Sequence, residues 1–173
     1  DLVGRTRFAS RIIHAVRKAV GSQFPIIFRF SQWKTGHYDA KLARTPVELE
    51  DFLTPLTEAG VDIFDCSTRR FWEPEFEGSR LNLAGWTKKL TGKPAISVGS
   101  VGLNREFTNV FDGGPEAETA SIEPLVERMQ AGEFDLIAVG RALLADAEWA
   151  QKIHHSREKE IRQFTKEALQ SLS

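Results

Sequence analysis

At 173 residues, with 41% apolar and 27% charged side chains and a net charge of −1, the chain has the size and balance of one globular domain with a sizeable core. No global field or basic stripe favours nucleic acid or an anionic membrane, no apolar run approaches the roughly 20 residues that span a bilayer, and no signal peptide opens the chain. The single cysteine, Cys66, excludes an intrachain disulfide, and His14, His37, His154 and His155 show no metal-ligand spacing, so the expectation is a cytoplasmic, non-metal protein.

Asp1 to Arg5 has no initiator methionine and reads as the end of something rather than a beginning. From Thr6 to Val20, Ile12, Ala15, Val16 and Ala19 recur at helical spacing, and Gly21 stands where a C-terminal cap belongs. Pro25 to Ser31 is a strand-like run, and Trp33 to Arg44 is polar and loop-like. Thr45-Pro46-Val47-Glu48 combines a capping threonine, a first-turn proline and a glutamate placed for a capping box. Leu49, Phe52, Leu53 and Leu56 form the stripe of that helix, Pro55 kinks it and Gly60 ends it. Val61 to Cys66 is the second strand. Ser67 to Ser79 is an aromatic and charged loop, in which Glu73, Glu75 and Glu77 read as a solvated face.

A helix follows, with Leu83, Trp86 and Leu90 inward, and Ala95 to Val98 makes the third strand before Gly99-Ser100-Val101-Gly102. Leu103 to Ala120 is irregular. Ser121 caps a helix carrying Ile122, Leu125, Val126 and Met129, and Leu136 to Val139 is the fourth strand. Asp146 to His155 and Glu158 to Leu172 read as closing helices. Each strand follows an amphipathic helix and a glycine, and the Glu58–Asp62 wording is echoed at Gln130–Asp135. Such alternation predicts an α/β fold with four parallel strands and right-handed crossovers. A complete (β/α)8 TIM barrel typically takes about 250 residues. This chain is too short for one, and length allows either a small open sheet or half a barrel.

Phe134 to Asp146, FDLIAVGRALLAD, carries the first functional signal. Its apolar strand ends in Gly140-Arg141 and turns into a short helix. To a phosphate this offers close backbone approach, amide donors and a guanidinium. The same residues would also make a plain strand–turn–helix corner with a surface arginine, and the stretch alone weighs both equally. Gly99-Ser100-Val101-Gly102 adds a second phosphate-suited strand end. In a (β/α)8 barrel the phosphate sites lie after the last two strands, beside a short extra helix, so the consecutive pair is more specific than either end alone. Arg29 sits inside the first strand, sharing a face with Ile27 and Ser31. A guanidinium there calls for an anion, or for an internal ion pair such as one with Asp65. Arg69 to Trp72 could wall a pocket or be a surface loop pinned by its own aromatics. Cys66 has no local histidine to activate it as a nucleophile.

Taken together, Phe28-Arg29-Phe30-Ser31, Val98-Gly99-Ser100-Val101-Gly102 and Val139-Gly140-Arg141-Ala142-Leu143-Leu144-Ala145-Asp146 resemble, in order and spacing, the C-terminal half of the old yellow enzyme family. Gly4-Arg5-Thr6-Arg7-Phe8 and the tail Arg162 to Leu169 are similar to that family as well, the former with departures in its first residues. The resemblance implies residues 1–173 as a single partial domain, the last four strands of a (β/α)8 barrel, from an FMN-dependent NADH or NADPH oxidoreductase that reduces enone-type alkenes. It implies that Arg29 lies against the pyrimidine side of the flavin, and that Gly99, Ser100, Gly140 and Arg141 hold the FMN phosphate. The family's substrate-binding His/Asn or His/His pair and its proton-donating tyrosine belong to the other half. This sequence therefore supplies no catalytic residue, and Tyr38, in a loop, does not take that role. The half alone is expected to be inactive.

Two alternatives remain open. One is a non-catalytic half-barrel that self-associates through its exposed strand edges into a homo-oligomer. The other is a different phosphate-binding barrel enzyme, an aldolase or isomerase, although no strand lysine suits Schiff-base chemistry.

Overall fold

Ile27–Ser31 (β1), Ile63–Ser67 (β2), Ala95–Val98 (β3) and Leu136–Ala138 (β4) form one sheet in the computed structural model, which describes residues 1–108 and 113–170. All neighbouring pairs are parallel and their order is β1-β2-β3-β4. Strand order that follows chain order without reversal is the winding of a barrel wall; a doubly wound sheet would reverse. The helices placed within the described residues are α1 (Leu2–Val20), α2 (Pro46–Ala59), α3 (Leu83–Thr91) and α4 (Glu123–Gln130), one before each strand, then α5 (Arg141–Ala145) and α6 (Trp149–His154).

Because side chains alternate along a strand, the sheet has two unlike faces. Phe30, Phe64, Cys66 and Ala95 are buried with Leu49, Leu53 and Leu56 of α2 and Leu83 and Ala84 of α3. The other face carries Ile27, Arg29, Asp65 and Leu136; Ile27 is 53% and Leu136 48% exposed. Arg29 and Asp65 therefore stand on a face that no helix among the described residues covers.

Helix α2 starts as the sequence predicts. The Glu48 amide donates to Thr45 Oγ1 (3.2 Å), and the Glu48 carboxylate reaches back to the amide of Arg44, one residue before the cap (2.6 Å). Helix α1 differs. It begins at Leu2 with Asp1 as its cap, and its buried residues are Thr6 and Ile13, while Ile12 (47% exposed) and Val16 (39%) face outward. The expected stripe is real, but α1 rests on α2 through its other side. Ser121 is not the cap of α4; its Oγ accepts from the Glu123 amide (3.1 Å) one residue earlier, and Ile122 takes the cap position with no side-chain bond.

Two aspartates latch the lower ends of the strands. Asp62 Oδ2 accepts from the Ile26 amide (2.7 Å) while the Asp62 amide donates to Ile26 O (3.0 Å). Asp135 repeats this on Ala95, with distances of 3.0 and 2.9 Å. Each carboxylate also meets a helix cation, Arg17 of α1 for Asp62 and Lys88 of α3 for Asp135. The echo of wording between residues 58–62 and 130–135 is thus a structural repeat. Burial alone would raise both carboxyls, but these bonds and charges hold them below the ordinary carboxylate range.

The tail departs most from expectation. Helix α6 ends at His154, Ser156 adopts a left-handed φ of 53°, and beyond it the described residues contain only short 3₁₀ turns at Glu158–Glu160 and Lys166–Leu169. The cause is a competing acceptor. The Arg162 amide donates to Asp146 Oδ2 (3.0 Å), a bond that a helical ladder would not leave it free to make. Leu172, the expected end of the last helix, and residues 109–112 of the irregular stretch lie outside the described residues. No helix among the described residues is long and apolar enough to cross a membrane.

Candidate functional site

Strand β1 carries Arg29 onto the uncovered face opposite Asp65, its partner in the β1–β2 register. Arg29 Nη1 donates to Asp65 Oδ2 (2.7 Å) and Nη2 to Ser67 Oγ (3.2 Å). The ion-pair alternative thus holds, yet the arginine side chain remains 56% exposed. The pair fixes the direction of the guanidinium while leaving it open to a ligand.

At the end of β3 the chain makes a tight passage. Gly99 has a φ of 147°, and a Cβ there would lie 2.5 Å from Thr68 Oγ1 and 2.7 Å from Thr68 O. Only a glycine passes so close to the loop after β2. Ser100 follows in the left-handed region at φ 52°, with Oγ 2.9 Å from both Arg69 O and Arg105 O. At the end of β4, Gly140 has open space where a Cβ would stand, and Arg141 opens α5. Arg141 Nη2 donates to Arg105 O (2.6 Å) and to Ser100 Oγ (3.3 Å). Ser100 and Arg141 therefore tie together the loops that follow β2, β3 and β4.

Arg29, Gly99, Ser100, Gly140 and Arg141 all line one cleft of about 260 Å³, whose walls include Trp33, Arg69 and Phe107. Among the described residues, Arg141 Nη1 and Arg105 Nε are buried without a hydrogen-bond partner. Asp65 Oδ1 and Glu106 Oε2 are buried and without a hydrogen bond as well, but of the two orphaned donors Arg141 Nη1 belongs to a residue that lines the cleft, and a cationic donor there suits an anion. Burial pushes the Arg141 guanidinium below its ordinary pKa, opposed by the nearby Glu106 carboxylate, in keeping with a cation whose charge is under-compensated.

The loop after β2 walls a cleft, and what pins it is Arg128 and Asn82 on its backbone carbonyls rather than its own aromatics. Arg69 lines this cleft and a neighbouring one of about 160 Å³, which Tyr38 and Arg70 also wall. Arg128 donates to Phe71 O and Trp72 O, both at 3.0 Å, and Asn82 Nδ2 to Phe71 O at 2.9 Å. Glu75 is not part of a solvated face. Its side chain is 8% exposed, meets Lys41 Nζ and Gln32 Nε2, and is raised above the ordinary carboxyl range by burial, with those partners opposing. Tyr38 packs with Trp33 and Phe107 at ring-centroid distances of 5.4 and 5.9 Å. Cys66 is fully buried, and burial pushes its thiol up to about 12, so it is no nucleophile.

Two participants escaped the sequence reading. Glu106 sits between Arg69 (3.2 Å) and Arg70 (2.8 Å) as a buried counter-charge. Phe164 places its ring under Arg141, with Cζ 5.5 Å from the ring centroid. Neither carries a local motif. The one available signal was the density of arginines at 69, 70, 105 and 141, which calls for a carboxylate among them.

Residues 1–160 match the model of the NADH:flavin oxidoreductase / NADH oxidase family. The chain is 33% identical over 168 residues to an NADH oxidase of Thermoanaerobacter brockii, covering 91% of this chain and 22% of that protein. It is 27% identical over 165 residues to a metal reductase of Desulforamulus reducens, with coverages of 94% and 22%. It thus spans about a fifth of the length of these curated relatives. Among solved structures, it superposes on the old yellow enzyme of Trypanosoma cruzi with a TM-score of 0.61 at 12% identity, over 90% of this chain and 35% of that one. Histamine dehydrogenase from Rhizobium sp. 4-9 superposes at 0.59 and 24% identity, over 92% and 21%. At such identities the structural likeness speaks for the fold, four parallel strands that match part of a (β/α)8 barrel.

Proposed function

Because the chain belongs to the NADH:flavin oxidoreductase / NADH oxidase family, we propose that its cleft is the phosphate-holding side of an FMN site. The parent reaction would be reduction of an activated, enone-type alkene at the expense of NADH or NADPH. FMN, when bound, supplies a two-electron carrier between these two partners. The observation that carries the reading is the buried Arg141 Nη1, a cationic donor without a hydrogen-bond acceptor, on a residue that shares a cleft with Gly99, Ser100 and Gly140.

The residues of this chain would bind and orient. Arg141 would hold the phosphate through the donor it does not spend on Arg105 and Ser100, and the bare backbone of Gly140 would let it approach. Arg29, aimed by Asp65 and Ser67, would face the pyrimidine side of the ring and favour negative charge there. Asp65 offsets part of that charge, so the guanidinium acts more as a fixed dipole than as a bare cation. We place no proton donor or carbonyl-binding pair on this chain, and infer that it does not turn over alone.

The test is a flavin fluorescence titration with FMN and with riboflavin, which lacks the phosphate. FMN is expected to bind weakly but more tightly than riboflavin, and Arg141→Gln to weaken FMN by about tenfold, the worth of one charge-assisted bond. Equal affinity for both flavins would overturn the phosphate assignment. Tight FMN binding followed by NADH-dependent turnover of 2-cyclohexenone would overturn the inference of inactivity.

A further inference from the structure

We propose that Phe164 is a positioning residue of the anion grip, and that the tail which delivers it is part of the site; this rests on the phosphate reading above. An arginine side chain has four rotatable bonds and swings freely unless it is held. Here the guanidinium of Arg141 is held along one edge by Arg105 O and Ser100 Oγ, and across one face by the Phe164 ring. The ring is 1% exposed, so the contact is desolvated, where a cation over an aromatic face is strongest. That leaves Nη1 as the donor kept for a ligand.

The tail around Phe164 is anchored on both sides of the ring. Two residues before it, the Arg162 amide donates to Asp146 Oδ2 (3.0 Å); two residues after it, the Lys166 amide donates to Glu116 Oε1 (3.0 Å). Asp146 is itself fixed by Lys152 Nζ (2.7 Å) and by the Glu148 amide (3.1 Å). A tail that merely filled space under α5 would need no such pair of backbone anchors around one ring. The anchors set the height of the ring against the guanidinium.

The experiment compares wild type, Phe164→Leu, Phe164→Tyr and Arg141→Gln in ¹⁵N-arginine-labelled protein, titrated with FMN and with riboflavin by NMR, which reads weak binding. Leucine keeps a buried apolar plug but has no ring face. Phe164→Leu is expected to lower the preference for FMN over riboflavin by about fivefold, and Phe164→Tyr to retain it. If Phe164→Leu keeps the wild-type preference while Arg141→Gln loses it, the ring is only core and this proposal falls alone. If wild type shows no preference for FMN, the phosphate reading falls and takes this one with it. Should Phe164→Leu fail to fold, Phe164→Met makes the same comparison.

Discussion

Replacing Gly99 with alanine is the sharpest trial of the site's architecture. The new methyl would stand 2.7 Å from Thr68 O and 3.0 Å from Arg69 C, against an ordinary contact of 3.4 Å or more. Thr68 Oγ1, at 2.5 Å, could rotate away only by giving up its bond to Val98 O. The backbone cannot yield so easily, because the Thr68 amide is tied to Val98 O (3.0 Å) and the Phe71 amide to Gly99 O (3.1 Å). Overpacking of this kind costs about 1–3 kcal/mol, and an alanine at φ 147° costs about another 1–3 kcal/mol. A loss of about 3 kcal/mol should lower Tm by roughly 9 °C in a chain of this size. Gly140→Ala is the control, since no atom lies within 4 Å of its Cβ position. Its stability should stay within about 0.5 kcal/mol of wild type, while its methyl, projecting into the cleft, weakens FMN. Thermal unfolding by circular dichroism decides. If Gly99→Ala melts with the wild type, the tight passage does not organise this site.

Asp146 is fully buried and, although burial would raise it, its bond to Lys152, the Arg162 and Glu148 amides and the Lys152 charge hold its carboxyl below the ordinary range. A depressed carboxyl adds stability above its unfolded value, near 3.9, and loses it as pH falls through the folded one. Urea unfolding should therefore show stability falling below about pH 4. Asp146→Asn, which leaves the buried Lys152 only the longer pairing with Glu148 (3.6 Å), should cost about 3 kcal/mol at neutral pH and flatten that acid limb; an unchanged limb would refute the linkage. The chain of 173 residues should also self-associate, because Phe8 is 75% exposed and Ile27 and Leu136 lie open at the two sheet edges. Light scattering after size exclusion checks this, and a monodisperse monomer would contradict it.

What could be read from residues alone was what depends on local spacing. Four strand–helix units, the cap at Thr45 and the two glycine-bearing strand ends all announce themselves within about ten residues of sequence. Arg29 announced that it needed a partner, and Asp65 follows from simple pairing of neighbouring strands. Residues whose roles depend on distant acceptors were not legible. Ile161, Phe164 and Ala168 keep helical spacing, yet Asp146 takes the Arg162 amide and the chain is extended at Ile161 and Thr165, between two short 3₁₀ turns. The stripe of α1 is amphipathic, but periodicity cannot say which of two sides meets α2. Glu75 alternates with neighbours that are solvated, and only Lys41 and Gln32, more than thirty positions earlier, turn it inward.

The aspartate latches carry one more consequence. They close the β1–β2 and β3–β4 seams, whereas the matching place at the start of β3, opposite Ile63, is occupied by Pro94, which has no carboxylate to offer. The sheet is thus two pairs of strands stapled within each pair and left unstapled between them at the lower end. Water should enter first along that middle seam. Amide exchange would then expose the Phe64 N–H, bonded to Pro94 O, before the latched amides of Ile26 and Ala95, and the wall would part into its two halves rather than peel strand by strand.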